Sequence, residues 1–497
     1  MMYSVPGKFQ PATPPYLVRQ RESSKQLYFA MLDERGGSAG QIDELANAKS
    51  RSLLLEQLVV AAEIDTDFPT DMRSLPSVLH NAHDQAAQAY RRYLDGRHAG
   101  SPRRYFSCRA HALYFLRAVA PTKLVDGAWL YGVLARWQDS RLAPLIQTYL
   151  EELGCGNPAQ NHVLLYRQLL ARYGCDNWQD GPDGHFTQGA VQLALAHHAR
   201  EFLPELIGFN LGYEQLPLHL LITAYELNEL DIDPYYFSLH VTIDNASTGH
   251  ARKALQTVLD NSPRTGDVSE FQRRVGNGFR LNLVGMGTPQ AIESFDIEQE
   301  LQRVFADKAL IGAQLHSDYC LVGGRSVSDW LSSPGEIVDL LSALQSAGWI
   351  RRGESPEQSR FWRLLTDEQA PMFGVFDGYE QQLLKDWILA DSGENPTART
   401  TNRFRNRQIP GPVDEAPAGL QSGTSVAQII ARHASGNPKL GRGADVDALF
   451  QKLVRIDTKA EAFAVLTGLL SPANHPTPAG LVATRLYADL FQHVTSP

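Results

Sequence analysis

The chain has 497 residues and a formal net charge of −9, from 46 Lys and Arg against 55 Asp and Glu. Nucleic-acid binding needs a concentrated basic surface, so this acidic balance predicts no nucleic-acid partner. The four cysteines are scattered and form no Cys-x2-Cys pair, which excludes a disulfide-stapled scaffold.

The first residues lack a basic start followed by an apolar stretch, so we expect no signal peptide. No run of about 18 apolar residues occurs, and we therefore expect no membrane-spanning helix and no membrane partner. Together with the scattered thiols, these features predict a cytoplasmic protein.

Apolar residues at three- and four-residue spacing predict helices along most of the chain. The clearest lie at residues 52–64, 110–119, 134–153, 163–173 and 192–203. Alternating β-branched runs are scarce, and we expect at most a minor hairpin near residues 279–284. The sequence thus predicts an all-α fold rather than an α/β fold.

Composition and turn signals divide the chain into five predicted regions. The stretch 391–425 is rich in Pro, Gly, Thr and Asn, which is typical of a linker. The regions are an N-terminal helical region 1–99, with a Pro-rich start over 1–20, a central helical region 100–292, a helical accessory domain 293–390, the linker 391–425 and a C-terminal helical tail 426–497. We expect the accessory domain to pack on the central region.

Several common catalytic motifs are absent from the sequence. There is no Gly-x-Gly-x2-Gly fingerprint, no P-loop, no Gly-x-Ser-x-Gly elbow and no His-Glu-x2-His. Nucleotide-dependent chemistry and triad-type hydrolysis therefore have no support from motifs.

Two histidines and several acids mark the segment 233–261. Asp233 followed by Pro234 is a helix start, since an N-cap acid and a first-turn proline commonly occur together there. His240 and Asp244 are four residues apart, so both project from one helical face and could share a metal ion. The alternative is an ordinary solvated polar pair. His250 reaches the same face only if the helix is distorted in between, and the intervening residues are poor helix formers.

Three further acids and one histidine stand out upstream. Glu152 precedes a Gly-rich break at the end of one predicted helix, and His162 lies at the start of the next. Glu205 and Asp126 each lie among apolar residues, and a buried carboxylate needs a charged partner or a metal. An exposed Glu152 is the alternative for the first of these positions.

The segment 196–214 carries a proline and two spaced glycines. Pro204 is expected to bend or restart the helix. Gly208 and Gly212 form a Gly-x3-Gly face, which we interpret as a contact surface for another helix.

Taken in chain order, these residues resemble the haem-oxygenase-like di-iron oxidases, also called the iron-containing redox enzyme family. The quoted motifs are PELxGFxLxYE at residues 204–214 and YFxLHxxxDNxxxGHA at residues 236–251, and the resemblance spans about residues 100–265. It implies a haem-oxygenase-like helical bundle, with additional helical regions, in which 100–292 is the metal-binding core.

The resemblance also implies an activity. Family members are non-haem iron oxidases or oxygenases that use O2 and an external reductant. Two Fe(II) ions per chain would act on a small amine, an amino acid or a fatty acid. The reaction would be N-oxygenation or C–C cleavage in natural-product biosynthesis.

The metal ligands that the resemblance implies are carboxylates and histidines, and no further catalytic residue is expected. They are Glu152, His162, His240, Asp244 and His250, with Asp126 or Glu205 as a further carboxylate. The chain departs from the family pattern at Ala159 and Ser247. The number of irons, one or two, therefore stays open.

Two alternatives remain at this point. One is a haem-oxygenase-like protein that uses haem or another cofactor, and the other is a non-catalytic helical binding protein. An iron site should lose metal when Asp244 or Glu152 is replaced by Ala, whereas a haem site with one axial histidine should tolerate both changes. A homodimer is the default expectation, and the electron donor is unknown.

Overall fold

The computed structural model describes residues 22–33, 44–243, 249–313, 319–390, 426–435 and 443–495. The predicted linker 391–425, the Pro-rich residues 1–20 and the positions Asp244 and Ser247 lie outside the described residues. Helices dominate the described part, and its only paired strands form one hairpin whose two strands have two residues each. The all-α prediction is therefore confirmed.

Three helices and one short 3₁₀ turn precede the central region. They are α1 (Ser24–Leu32), α2 (Glu44–Ala62), the 3₁₀ turn Met72–Ser74 and α3 (Leu75–His98).

The central region contains eleven helices within the described residues. They are α4 (Arg109–Ala118), α5 (Ala120–Lys123), α6 (Ala143–Glu152), α7 (His162–Arg172), α8 (Thr187–His197), α9 (Leu203–Tyr213), α10 (Leu218–Glu229), α11 (Tyr235–Ile243), α12 (His250–Asn261), α13 (Val268–Leu281) and α14 (Thr288–Glu293). Short 3₁₀ segments lie at Ala128–Arg136, Ser140–Leu142, Gly154–Gly156, Asp176–Asp180 and Asp183–Phe186.

The accessory region and the tail complete the described chain. The accessory region has α15 (Ile297–Gly312), β1 (Leu321–Val322), β2 (Arg325–Ser326), α16 (Val327–Leu331), α17 (Ile337–Ser346), α18 (Arg360–Thr366) and α19 (Gly378–Leu389), with 3₁₀ turns at Pro334–Glu336 and Pro356–Gln358. The tail has α20 (Val426–Ser435), α21 (Ala444–Leu453), α22 (Lys459–Leu469) and α23 (Pro478–Thr495). Strands β1 and β2 pair antiparallel, with Leu321 opposite Ser326.

Proline and side-chain caps decide where two predicted helices break. The predicted helix 134–153 is wrong before Ala143, where α6 begins, because Asp139 accepts from the backbone N–H of Arg141 at 3.2 Å and opens a new turn before α6. The predicted helix 192–203 ends at His197, and α9 restarts with Pro204 in its first turn, as expected for a residue without an N–H.

The predicted hairpin at 279–284 is wrong, because α13 continues to Leu281. Asp267 caps this helix by accepting from the N–H of Glu270 at 2.9 Å. Helix α13 crosses α9 so closely that a Cβ on Gly208 would lie 1.9 Å from the carbonyl oxygen of Val275. This contact confirms the predicted helix-packing role of Gly208, and such tertiary packing overrides the local alternation of apolar residues.

Two hydrophobic clusters hold the described part of the chain together. The first joins α1 and α2, much of the central region and the tail, and the second joins α4, α7 and α11 to the accessory helices. Helices α6, α9 and α12 contribute to the first cluster, whereas α4, α7 and α11 contribute to the second. The central helices therefore pack against the N-terminal helices and the tail through one cluster and against the accessory helices through the other. None of the helices in the described ranges combines the length and the apolarity that crossing a membrane requires.

Candidate metal centre

Four side chains from four separate elements meet in the central region. Asp126 follows α5 in a turn, Glu152 ends α6, His162 begins α7 and His240 lies within α11. All four are buried, and each offers one potential ligand atom within 4.8 Å of the others. We call Asp126, Glu152, His162 and His240 the first group.

A second group of three residues shares one member with the first. It consists of Glu152, Glu214 and His250, which are also buried and offer ligand atoms within 4.8 Å of one another. Glu214 directly follows α9, and His250 is the first residue of α12. The second group therefore adds two helix ends to the same site.

A glycine allows Asp126 to lie beside Glu152. Gly127 has a φ of 78°, a left-handed conformation that side chains disfavour. A Cβ at Gly127 would lie only 2.9 Å from the Cβ of Glu152. The Asp126-Gly127 turn thus passes directly against the end of α6.

Two phenols and one ammonium group surround the Asp126 carboxylate. Tyr213 donates to Oδ1 at 2.7 Å, Tyr236 donates to Oδ2, and Lys123 donates to the Tyr213 hydroxyl at 3.0 Å. Burial alone raises the pKa of Asp126, but the charge of Lys123 and the neighbouring His240 imidazole outweigh it. They lower the pKa to about 2, so Asp126 is held as a carboxylate.

The orientation of His240 is set by its own helix. Its Nδ1 donates to the backbone carbonyl of Tyr236 at 2.8 Å, one turn earlier in α11. The other ring nitrogen, Nε2, therefore points at Asp126 Oδ2, 3.3 Å away. A backbone carbonyl that fixes one nitrogen in this way is typical of histidines whose other nitrogen binds a metal.

Glu152 lies between two histidines. Its Oε2 is in close contact with His162 Nδ1, and its Oε1 is 3.3 Å from His250 Nδ1. Burial raises the pKa of Glu152, yet the two imidazoles outweigh it and hold the pKa well below the usual range. The Glu152 carboxylate is thus charged although it is 4 % exposed.

His250 is held from both sides by carboxylates. Its Nδ1 is 3.2 Å from Glu214 Oε2, and its Nε2 donates to Glu151 Oε2 at 2.6 Å. Glu151 also forms an ion pair with Lys253 at 2.5 Å. The Glu151–Lys253 pair therefore orients the His250 ring from outside the second group.

Orphaned polar atoms test whether these residues fit a metal ion. Within the described ranges, Nε2 of His162 is buried without a hydrogen-bond partner, and His162 Nδ1 and Glu152 Oε2 form a close contact with each other that lacks normal hydrogen-bond geometry. Buried polar atoms are rarely left unpaired, because each costs free energy. A metal ion would satisfy them, and a mixed set of imidazole and carboxylate ligands suits Fe(II).

The structure brings together five of the seven predicted ligands, namely Asp126, Glu152, His162, His240 and His250. Asp244 lies outside the described residues.

Glu205 has a different partner and is absent from both groups. Its two carboxylate oxygens accept from Arg274 Nε and Nη2, each at 2.6 Å. Of the two predicted candidates for the further carboxylate, Asp126 therefore lies in the first group, whereas the charged partner that the burial of Glu205 requires is an arginine.

Glu214 is the residue that sequence reasoning missed. It closes the PELxGFxLxYE motif and follows an apolar stretch, but a glutamate is almost never fully buried unless it is paired. The available signal was its place at the end of a helix, which it shares with Glu152.

A buried set of histidines and carboxylates on a helical bundle is the kind of site that iron-dependent oxidoreductases use. Residues 113–282 match the model of a family described as iron-containing redox enzyme. The matched segment contains every member of both groups, confirms the predicted family resemblance and supports an iron-dependent oxidoreductase. The comparisons with curated proteins and with solved structures found no match.

Proposed function

We propose that the protein is a non-haem di-iron oxidase or oxygenase that uses O2 and an external reductant. The first group binds one Fe(II) ion and the second group binds the other. Glu152 serves both ions, and Asp244 adds a further ligand. The proposed ligands are Asp126, Glu152, His162, Glu214, His240, Asp244 and His250.

The observation that carries this proposal is the shared position of Glu152. One carboxylate oxygen faces His162 of the first group, and the other faces His250 of the second. A carboxylate with two oxygens directed at two imidazoles is suited to bridge two metal ions. Haem would need one axial histidine and no set of buried carboxylates, so the three clustered acids favour metal ions over haem.

Bound iron would supply the activation of O2 and the transfer of electrons, while the protein holds charge and geometry. Tyr213 and Tyr236 orient Asp126 through their hydrogen bonds, and the charge of Lys123 helps to keep it ionised. Glu151 orients His250. The side chains of both groups are buried, so a reaction at bound iron would take place in surroundings from which most water is excluded.

The substrate class follows from the resemblance alone. We propose a small amine, an amino acid or a fatty acid, with N-oxygenation or C–C cleavage as the reaction, in natural-product biosynthesis. We further propose a cytoplasmic homodimer in which the accessory and tail regions support the metal-binding core.

Anaerobic loading with Fe(II), followed by metal analysis and an optical spectrum after exposure to O2, tests the proposal. About two irons per chain and a transient broad visible band are expected. Glu152→Ala should lose both ions because it belongs to both groups, whereas Glu205→Gln should retain them as a matched control.

Other results would contradict the proposal in distinct ways. A value near one iron would point to a mononuclear site and leave one group without metal. A Soret band on the purified protein would show that the cofactor is haem and not a non-haem iron centre. Neither iron nor a chromophore would leave the non-catalytic binding protein as the explanation.

A further inference from the structure

The turn between α6 and α7 connects two proposed ligands of the same metal ion. Glu152 precedes the turn and His162 follows it. Three consecutive residues in it have positive φ values, 63° at Gly154, 48° at Cys155 and 80° at Gly156. A non-glycine residue in this region is strained and persists only where its surroundings hold it.

The C-terminal tail supplies part of these surroundings. Arg485 Nη2 donates to the carbonyl oxygen of Gly156 at 3.1 Å. A Cβ on Gly156 would lie 2.3 Å from the carbonyl oxygen of Leu481, so the turn is pressed directly against α23. Tyr149 of α6 donates to the carbonyl oxygen of Leu470 from the same tail.

Asn161 links the tail to both ends of the turn. Its Oδ1 accepts from the N–H of Leu164 at 3.0 Å and caps α7. Its Nδ2 donates to the carbonyl oxygen of Leu153 at 3.3 Å and to His475 Nδ1 at 3.1 Å. One fully buried amide therefore connects the end of α6, the start of α7 and the tail.

His475 is suited to this contact because it is buried and neutral. It is 2 % exposed, and burial lowers its pKa to about 3. A neutral imidazole has one nitrogen without a proton, and Nδ1 uses that lone pair to accept from Asn161.

We propose that His475 is a positioning residue for the metal centre, which it acts on through Asn161 and the turn between Glu152 and His162. The affinity of the first group for metal would then depend on the tail, which lies outside the segment 113–282 that matches the family. This inference rests on the proposed metal site.

The test compares variants of the full-length protein by anaerobic titration with Co(II), followed by its visible ligand-field absorption. His475→Ala removes the acceptor for Asn161, and we expect Co(II) binding to weaken about tenfold, the lower end of the effect of outer-shell partners. The ligand-field band should also change in intensity, because the ligands lose their fixed separation.

Two further variants separate positioning from a general loss of packing. His475→Asn keeps an acceptor on the same γ carbon and should restore the affinity and the spectrum. His198→Ala is the matched control, since His198 is also buried and bonds a distant side chain, Ser50, at 2.9 Å. It should bind Co(II) as the wild type does.

Each other outcome overturns the inference. Wild-type affinity and spectrum in His475→Ala would show that the tail does not position the site, and an equal loss in His198→Ala would show a general packing effect. If His475→Ala does not fold, Arg485→Ala removes the other contact between the tail and the turn, the hydrogen bond to the carbonyl oxygen of Gly156. Wild-type Co(II) binding in that variant would also refute the inference. A wild-type protein that binds neither Co(II) nor Fe(II) would overturn the proposed function itself.

Discussion

Glu205 in α9 and Glu214, which directly follows α9, should respond in opposite ways to the same substitution. Glu214→Gln keeps the size of a side chain that is 2 % exposed but removes its charge from the second group. Because Glu214 is absent from the first group, we expect the iron content to fall from about two to about one per chain. Global stability should change little.

Glu205→Gln should show the reverse behaviour. Glu205 forms two charge-assisted bonds of 2.6 Å to Arg274, whose side chain is 28 % exposed and therefore partly screened. The loss of the charge and one acceptor should cost about 2 kcal/mol of stability. The iron content should stay at the wild-type value.

Metal analysis of anaerobically loaded and desalted protein, paired with thermal unfolding of the same samples, distinguishes the two variants. Two results would contradict this prediction: retention of two irons by Glu214→Gln, and loss of iron without loss of stability in Glu205→Gln. Either result would mean that the wrong one of these two glutamates has been assigned to the metal.

The remaining predictions concern the turn at Asp126, the support of His250 and the response to acid. Gly127→Ala should destabilise the protein by about 1–2 kcal/mol from its positive φ alone. It should also lower the metal content, because the added Cβ meets Glu152, and a wild-type melting temperature would contradict this account. Glu151→Gln should weaken metal binding to the second group about 10- to 100-fold, while the first group keeps its ion. Chelator competition measures both affinities, and equal loss from both groups would be inconsistent with the structure. Burial lowers the pKa of His197 to about 4. Between about pH 6.5 and pH 4, His197 is therefore protonated in the unfolded chain but neutral in the folded chain. The free energy of unfolding should therefore decline from about pH 6.5 toward pH 4. Urea unfolding of His197→Gln at a series of pH values should show a pH dependence of this free energy that is shallower by up to about 1.4 kcal/mol per pH unit. An unchanged pH dependence would argue against a neutral His197.

Local sequence signals predicted the elements whose boundaries depend on nearby residues. Pro204 restarts a helix because it lacks an N–H, and Asp233 accepts from the N–H of Tyr235 at 3.1 Å, where a helix start was expected. The same kind of reasoning failed at 279–284. Alternating apolar residues there resemble a strand, but α13, which packs closely against α9, continues to Leu281.

The choice between Glu205 and Glu214 shows where sequence reasoning ends. Both are acids in one motif, and both are buried. The crossing of α13 over α9 brings Arg274 to Glu205. The packing of α12 brings His250 to Glu214. Burial of a carboxylate requires a partner, and the sequence does not show which partner the fold will bring.

The amino-acid sequence by itself determined an all-helical chain, the order of its histidines and acids, and the family resemblance of its central region. These properties follow from local periodicity, caps and motifs, which act over a few residues. Only the tertiary structure decided that Glu152 belongs to two groups, that Gly127 lets Asp126 reach it, and that the tail packs against the turn before His162. Those contacts join residues far apart in the chain, and the packing of helices against one another sets their distances.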